Sequence, residues 1–255
     1  MKETAQMRVA EPDESLARKE QLLRGILARL DGAVVAFSGG ADSAFLAYVA
    51  HGELGERALC VTADSPSYPR RHRDIVLRLV TQLGLHHQFI RTREMDRAEY
   101  RANPVNRCYF CKQELYGELC RIALERGIAA VLDGNNADIR RLSRAAGLLT
   151  WDEPASACLS SRIPYMSEVT GEKLRMIEGA ETVLHDLGFR VCRVRHHGDT
   201  ARLELDPSDM PRALDEVVRA RILHELRAVG FRYVTLDLQG YRTGSLNEVL
   251  RLRPV

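Results

Sequence analysis

Short apolar runs alternate with helical segments along the chain as far as residue 134. The runs are AVVAF at 33–37, RALCVTA at 57–63, HHQFI at 86–90 and IAAVLDG at 128–134. Between them, apolar side chains recur every three or four residues, a spacing that puts them on one face of a helix. Apolar strands that alternate with helices are typical of a parallel sheet covered on both faces. The pattern predicts an α/β fold with a doubly wound parallel sheet.

The order of elements changes after about Pro164. From there the pattern predicts a helix, two strands, a second helix and a last strand, at 168–187, 190–197, 201–206, 209–229 and 231–238. This order indicates a small α+β domain rather than a continuation of the parallel sheet. We therefore divide the chain into a loose polar arm, a parallel-sheet domain and a small α+β domain, at 1–14, 15–165 and 166–255.

Composition narrows the class of protein. The chain has 37 Lys and Arg against 35 Asp and Glu, a net charge of +2. Nucleic-acid-binding domains usually carry a larger basic excess, so a nucleic-acid partner is not expected. No apolar run is long enough to span a bilayer, so no membrane association is expected. The first residues, MKETAQMRVAEPDES, lack the apolar core of a secretory signal, and we expect a cytoplasmic protein.

The segment SGGADS, residues 38–43, lies between an apolar strand and a helix. Gly39 and Gly40 allow a tight turn that brings backbone N–H groups close to an anion, and the following helix adds its positive N-terminal end. Ser38 and Ser43 offer hydroxyl groups to phosphate oxygens. Asp42 would repel a bare phosphate, which favours a Mg²⁺ ion between them. The alternative is a glycine-rich turn with an ordinary helix cap.

Three of the six cysteines are candidates for chemistry. Cys108 and Cys111 form a C-x-x-C pair at the start of a helix, which suits a redox pair or half of a metal site. Two core cysteines on one helical turn are the alternative. Cys158 lies in a polar, irregular stretch beside Arg162, a setting that suits a thiolate. We expect the remaining three to be ordinary buried residues: Cys60, Cys120 and Cys192.

Several separated motifs resemble one known family. SGGADS after VVAF resembles the PP-loop of ATP pyrophosphatases. Together, SGGADS, NRCYFCK, DGNNAD, TWDEPASACLSSRIPY and RVRHHG resemble the LarE family, over about residues 15–245. That family consists of ATP-dependent sulfur transferases that mature the nickel-pincer cofactor of lactate racemase. The resemblance implies ATP and Mg²⁺ as cofactors, with Asp42 on the metal, Ala63 lining the adenine pocket and Gly134 beside it.

The resemblance also implies a substrate and a reaction. The substrate is pyridinium-3,5-biscarboxylic acid mononucleotide, whose carboxylates are adenylated and then converted to thiocarboxylates. In some members the sulfur comes from a cysteine at the position of Cys158, which becomes dehydroalanine. In others a [4Fe-4S] cluster is held by cysteines at the positions of Cys108, Cys111 and Cys158. This chain has all three cysteines, so the resemblance favours the cluster form.

A substrate-binding set follows from the same resemblance. It comprises Ser161, Arg162, Glu181, Arg193 and Arg195, which would hold the phosphate and carboxylates of the substrate. Guanidinium groups match such oxyanions well. From the residues alone, surface arginines in contact with solvent are an equal alternative. The resemblance further implies a homo-oligomer, with a hexamer as the expected size and an interface in the small second domain.

Other functions remain as alternatives. A PP-loop tRNA thiolase would also use cluster cysteines, but it needs an RNA-binding surface that the net charge does not indicate. An amide-forming synthetase of the same superfamily has no use for three cysteines. A non-catalytic nucleotide-binding or iron–sulfur carrier module is the alternative from a different class. The chain also departs from the family after Asp138, where roughly thirty residues of a longer connection are absent.

Overall fold

The computed structural model describes residues 14–134, 139–151, 157–242 and 245–247. Its helices are α1 Glu14–Leu27, α2 Ala41–Leu54, α3 Arg70–Leu83, α4 Ala98–Arg101, α5 Arg107–Glu125, α6 Ile139–Ala145, α7 Gly171–Asp186, α8 Met210–Leu214 and α9 Glu216–Ala228. Its strands are β1 Ala33–Ala36, β2 Ala58–Asp64, β3 His87–Arg91, β4 Ala130–Asp133, β5 Cys192–His197, β6 Thr200–Leu205 and β7 Tyr233–Leu236. The predicted arm, 1–14, lies outside the described residues apart from Glu14.

The first four strands form one parallel sheet, in the order β3-β2-β1-β4. The chain therefore adds strands outward from β1 on one side and then crosses to place β4 on the other side. This confirms the predicted α/β fold with a parallel sheet. The point where the strand order reverses lies between β1 and β4, and such switch points open a crevice at the carboxyl ends of the strands.

Successive residues of β1 point to opposite faces of the sheet and enter two separate cores. Val35 packs in a core with residues of α1, α2, α3 and α6, among them Leu16, Phe45 and Leu79. Val34 packs in a second core with Leu119 and other residues of α5. Because both of its faces are covered, the central strand β1, AVVA, is buried and apolar throughout and has no polar alternation.

A second sheet is formed by the last three strands. Strand β6 is antiparallel to β5 and parallel to β7, and its core includes residues of α7 and α9. The prediction of one helix over 209–229 is wrong, because α8 ends at Leu214 and α9 begins at Glu216. Asp215 separates them: its backbone is extended and its carboxylate accepts hydrogen bonds from the N–H groups of Val217 and Val218, as an N-cap residue does.

The chain forms two compact units that are not continuous in sequence. Within the described residues, the first comprises 14–64, 71–91, 115–134 and 139–151, and the second comprises 65–70, 92–114, 157–242 and 245–247. The sequence predicted a single boundary between 165 and 166. The division differs because Tyr100, Leu159 and Ile163 share a buried core with Leu174 and Ile177 of α7. The residues around all three candidate cysteines therefore belong to the second unit.

Two of the three cysteines that were expected to be ordinary core residues are buried, and the third is not. Cys60 and Cys192 are buried in strands, as predicted, but Cys120 is exposed. The reason is helical geometry: the core face of α5 contains Leu119, Ile122 and Ala123, and the position after Leu119 turns away from it.

Among the described residues, no helix has both the length and the apolar character required to cross a membrane.

Gly134 offers a test of the packing at the switch point. A Cβ atom on Gly134 would lie 2.8 Å from the backbone oxygen of Asp42 at the start of α2. We expect Gly134→Ala to lower the free energy of unfolding by roughly 1–3 kcal/mol, because a methyl group there must displace backbone.

Urea unfolding of this variant checks the close approach. Gly25→Ala is the matched control, since a Cβ on Gly25, within helix α1, meets nothing within 4 Å. The control should be unchanged or stabilised by about 0.5–1 kcal/mol. Equal stability of Gly134→Ala and wild type would contradict the packing described.

Candidate functional site

The Ser38–Ser43 loop joins β1 to α2 in the first unit and is closed by its two serines. The N–H of Ser38 donates to Oγ of Ser43 at 3.2 Å, and the two hydroxyl oxygens are 3.1 Å apart. Ser43 Oγ in turn donates to the carbonyl oxygen of Gly40 at 3.1 Å. Gly39 has φ +75°, and a Cβ there would lie 2.8 Å from a methyl carbon of Val76, so both its conformation and its surroundings require glycine.

The N-terminus of α2 is suited to bind an anion. Gly40 is its N-cap residue and provides no side-chain hydrogen bond to the first N–H groups. The helix begins at Ala41, directly at the strand-order switch, and Asp42 lies half-buried in its first turn. Gly134 approaches the backbone of Asp42, and Ala63 lies near the end of β2, half-buried. These residues share one edge of the sheet, where α/β proteins bind ligands. Their roles toward ATP and Mg²⁺ stay predictions.

In the second unit, Cys158 is held by a buried arginine that follows it. Cys158 is half-buried and precedes a 3₁₀ turn at Leu159–Arg162. Nη1 of Arg162 donates to the carbonyl oxygens of Ala157 and Cys158, at 2.6 and 3.0 Å, and to Oγ of Ser161 at 3.0 Å. The hydroxyl of Ser161 also donates to the Cys158 carbonyl oxygen, at 2.8 Å. The backbone around the thiol is therefore fixed from two sides.

The same arginine forms a two-point ion pair with Glu181 of α7. Nε and Nη2 of Arg162 donate to the two carboxylate oxygens at 2.9 and 3.0 Å, and both side chains are buried. Glu181 also accepts a hydrogen bond from the N–H of Val194 in β5, at 3.0 Å. Burial disfavours its ionised form, but the charge and hydrogen bonds of Arg162 outweigh burial, so the pKa of Glu181 lies below its ordinary value.

Arg195 is engaged in a second buried pair. Its guanidinium donates to both carboxylate oxygens of Glu204, at 3.0 and 2.8 Å, and to Oγ of Ser245 at 2.6 Å. Nη1 of Arg195 also donates to the carbonyl oxygen of Ser161 at 2.7 Å. The predicted substrate-binding arginines at 162 and 195 thus have intramolecular partners, which gives both a structural role. Their direct contact with substrate stays a prediction.

Arg193 differs from these two arginines. Its Nη1 donates to the carbonyl oxygen of Cys192 at 2.8 Å, and the guanidinium lies 5.2 Å from the ring centre of Tyr241. Burial, together with the nearby charge of Arg162, lowers the pKa of Arg193 below its ordinary value. A partly buried cation beside another cation is stabilised by an incoming anion. Contact of Arg193 with an anionic substrate stays a prediction.

The three candidate cysteines influence one another electrostatically. Burial is the main reason that the pKa of Cys111 is raised to about 12, with the charges of Glu94, Cys158 and Cys108 adding to it and Arg107 opposing it. The side chain of Cys108 is exposed. Thiolates are the ligands of iron–sulfur clusters, so the type of donor fits one. In the part of the chain that the structure describes, however, no three such side chains converge to hold a metal ion.

Two functional candidates were missed by the sequence analysis. Arg107 is buried, and its Nη2 lies 3.9 Å from Sγ of Cys158. Glu94 is also buried: Oε1 accepts from Ser67 Oγ at 3.1 Å, and among the residues that the structure describes Oε2 has no hydrogen-bond partner. The sequence indicated Arg162 as the arginine beside the thiol, because it is close along the chain. Only the position of Arg107 directly before the C-x-x-C pair offered a signal, and burial cannot be deduced from that.

The Glu181 pair provides a prediction with a defined pH dependence. Glu181→Gln should lower the free energy of unfolding at pH 7 by roughly 3–5 kcal/mol, because the Arg162 charge stays buried without its partner. Since the pKa of Glu181 is lowered in the folded state, this contribution is complete above its ordinary value of about 4.5. The stabilising contribution of the pair is lost as the pH falls through the lowered pKa of Glu181 in the folded protein.

Urea unfolding at pH 7 and at successively lower pH checks this. Glu178→Gln, on the same helix, is the control: Glu178 pairs with Arg70, whose side chain is 89% exposed, and should contribute less than about 1 kcal/mol. A difference between wild type and Glu181→Gln that stays constant into strong acid would argue against the ion pair.

Comparison with known proteins places the chain among relatives of similar length. No protein-family model matches it. An uncharacterised protein of a Synechocystis species is 38% identical over 265 aligned positions, which cover 92% of this chain and 99% of that protein. Because 92% of 255 residues is about 235, about thirty aligned positions have no counterpart here. That these positions fall after Asp138 stays a prediction, since Asp138 lies outside the described residues.

Two further relatives align with most of the chain; one is uncharacterised and the other is a synthase. An uncharacterised protein of Methanocaldococcus jannaschii is 23% identical over 82% of this chain and 90% of its own length. The pyridinium-3,5-bisthiocarboxylic acid mononucleotide synthase of Lactiplantibacillus plantarum is 32% identical over 92% of this chain and 96% of its own length. Identity of this level extends along nearly the whole of both chains. The chain therefore belongs to the LarE family.

Proposed function

We propose that this protein is an ATP-dependent sulfur transferase that acts on pyridinium-3,5-biscarboxylic acid mononucleotide and produces its thiocarboxylates. The observation that carries the proposal is the full-length similarity to the Lactiplantibacillus synthase. The Ser38–Ser43 loop and the arginine-rich surroundings of Cys158 support it, because they supply the two kinds of site that the reaction requires: one for a nucleotide phosphate and one for a thiol.

The first step of the proposed reaction activates the substrate. A carboxylate oxygen of the substrate attacks the α-phosphorus of ATP, and the bond to the bridging oxygen of the β-phosphate breaks. Pyrophosphate leaves with the electron pair, and an acyl-adenylate forms. Backbone N–H groups at the start of α2 would bind the phosphates, and Asp42 would hold a Mg²⁺ ion that offsets their charge. This step replaces a poor leaving group on carbon with AMP.

The second step transfers sulfur. A sulfur nucleophile attacks the acyl carbon and AMP leaves. If the nucleophile is Sγ of Cys158, a thioester forms; removal of the Cα proton of Cys158 and cleavage of its Cβ–Sγ bond then release the thiocarboxylate and leave dehydroalanine. The fixed backbone around Cys158 supports this role, because a nucleophile held in place reacts faster than a mobile one. The thiocarboxylate would serve the nickel-pincer cofactor of lactate racemase.

A second source of sulfur is part of the same proposal. Cys108, Cys111 and Cys158 would hold a [4Fe-4S] cluster by three of its irons, and such a cluster would supply an exchangeable sulfide. Exposure of Cys108 is compatible with assembly of a cluster from outside, while the raised pKa of Cys111 means that ligation must displace its proton. We propose the cluster as the form favoured by three cysteines, with direct donation from Cys158 as the alternative.

The proposal also includes a homo-oligomer. In the second unit, large apolar side chains are exposed: Leu238 by 88%, Val217 by 76%, Leu214 by 60% and Tyr233 by 56%. Because partners cover contiguous exposed apolar patches, we propose that a second copy of the chain covers these side chains. Light scattering of the purified protein would give its oligomeric state.

Asp42→Ala tests the nucleotide site. We expect it to abolish pyrophosphate release in the presence of substrate, because the Mg²⁺ ion that Asp42 would hold, and that would offset the charge of the phosphates, loses a ligand. Thiol content and any bound iron should stay at the wild-type level. Asp31→Ala, an exposed residue before β1, is the control and should release pyrophosphate normally. Pyrophosphate release by Asp42→Ala at the wild-type rate would contradict the assignment of the Ser38–Ser43 loop as the nucleotide site.

Cys158→Ala separates adenylation from sulfur transfer. The variant should still release pyrophosphate but form no thiocarboxylate, and Cys120→Ala should behave as wild type because Cys120 lies outside the predicted set.

Iron and acid-labile sulfide in protein purified without oxygen distinguish the two sulfur sources. About four irons per chain, lost in Cys108→Ala, would indicate a cluster. Absence of iron after reconstitution, with loss of one H₂S in mass per turnover, would indicate donation by Cys158. Thiocarboxylate formed by Cys158→Ala would contradict both.

A further inference from the structure

Arg107 is a buried cation, and within the described part of the chain its hydrogen-bond acceptors include no carboxylate. Only 4% of the residue is exposed, and its guanidinium donates to the side-chain oxygen of Asn103, to the carbonyl oxygen of Ser160 at 2.9 Å and to Sγ of Cys158 at 3.9 Å. The other buried arginines described above, Arg162 and Arg195, each have a two-point carboxylate partner. Arg107 therefore stands apart in this unit.

Burial of a charge without a counter-charge is unfavourable, so such a charge persists where an anion compensates it. The acceptors of Arg107 on Asn103 and Ser160 are neutral. The third atom that the guanidinium contacts is Sγ of Cys158, at 3.9 Å. The neighbouring Arg162 cannot supply positive charge at this sulfur in the same way, because Glu181, at 2.9 Å, balances its charge.

The position of Arg107 is set by Asn103 rather than by chance contact. Asn103 is fully buried with φ +54°, a left-handed conformation that asparagine tolerates better than most residues. Its side-chain amide donates to the carbonyl oxygens of Ile163, Pro164 and Ser167, at 3.3, 2.7 and 3.1 Å. Asn103 thus ties the start of α5 to the segment that carries Cys158, and presents its oxygen to Arg107.

We propose that Arg107 is the positioning residue of the sulfur site, and that it supplies the positive charge at Sγ of Cys158. The inference rests on the proposed function in one respect: the charge of Arg107 matters to the reaction because, in that function, a sulfur anion at Cys158 attacks the acyl-adenylate. The contact itself is independent of that function. Arg107 acts in the same way whether the anion is the free thiolate or a thiolate bound to a cluster, because in both cases negative charge develops on the same atom.

The test measures local charge at the sulfur without ATP or substrate. The full-length, reduced, metal-free protein is alkylated at one neutral pH and low salt, either with iodoacetate, which is an anion, or with iodoacetamide, which is neutral. Mass spectrometry of peptides gives the rate constant at each cysteine. For each cysteine we take the ratio of the iodoacetate rate constant to the iodoacetamide rate constant. The exposure of the sulfur and its fraction of thiolate affect both rate constants equally and cancel, so the ratio reports the electrostatic potential at that sulfur.

We expect a higher ratio at Cys158 than at Cys120, an exposed cysteine of the first unit. Arg107→Gln should lower the ratio at Cys158 by about threefold, because it removes one unit charge close to the sulfur, while the ratio at Cys120 stays the same. Arg107→Lys should keep most of the ratio. Arg97→Met is the matched control: Arg97 pairs with Gln113 and stacks on Phe110, and its loss should leave the ratio unchanged.

A purely structural role for Arg107 would give a different result. Loosening of the segment would raise both alkylation rates at Cys158 and leave their ratio unchanged, and that outcome would overturn the proposal. If neither Arg107 variant folds, the wild-type protein still decides, because a ratio at Cys158 no higher than that at Cys120 would also overturn it. Failure of the proposed function would appear separately, as absence of pyrophosphate release or thiocarboxylate in wild type.

Discussion

The buried pair between Arg162 and Glu181 is the constraint on which the second unit depends. It joins the turn after Cys158 to α7, and through the N–H of Val194 it joins both to β5. Removing two charges from water is costly, and the cost is offset only when every donor and acceptor finds a partner. Arg162 comes close to that condition, since it also donates to the carbonyl oxygens of Ala157 and Cys158. The thiol segment is thereby held in one conformation.

This arrangement changes what the arginines of the second unit can do. A guanidinium has five N–H donors, and Arg162 and Arg195 direct theirs at carboxylates, carbonyls and hydroxyls of the same chain. They shape the site and hold it rigid, whereas burial, together with the nearby charge of Arg162, lowers the pKa of Arg193 below its ordinary value. Arg162 and Arg195 therefore form a frame for this segment, and contact of Arg193 with an anionic substrate stays a prediction.

The thiols are tuned by different surroundings. Burial and nearby negative groups keep Cys111 protonated, Cys108 is exposed, and Cys158 is in contact with Arg107. Glu94, with one carboxylate oxygen unpartnered, adds negative charge on the side of Cys111. Three chemically identical side chains therefore differ in environment, which is what a site needs if one sulfur is to react while the others hold or exchange it.

The sequence by itself determined the elements and the family. Continuous apolar runs and helical spacing predicted all four strands of the parallel sheet, and the Ser38–Ser43 loop was recognisable, because periodicity and glycine-dependent turns are local properties. Tertiary structure decided what depends on distant residues. It broke the helix at Asp215, exposed Cys120, and gathered 65–70 and 92–114 into the second unit. It also placed Arg107, rather than Arg162, at the sulfur of Cys158, because the partner of a buried charge is chosen by packing in space and not by nearness along the chain.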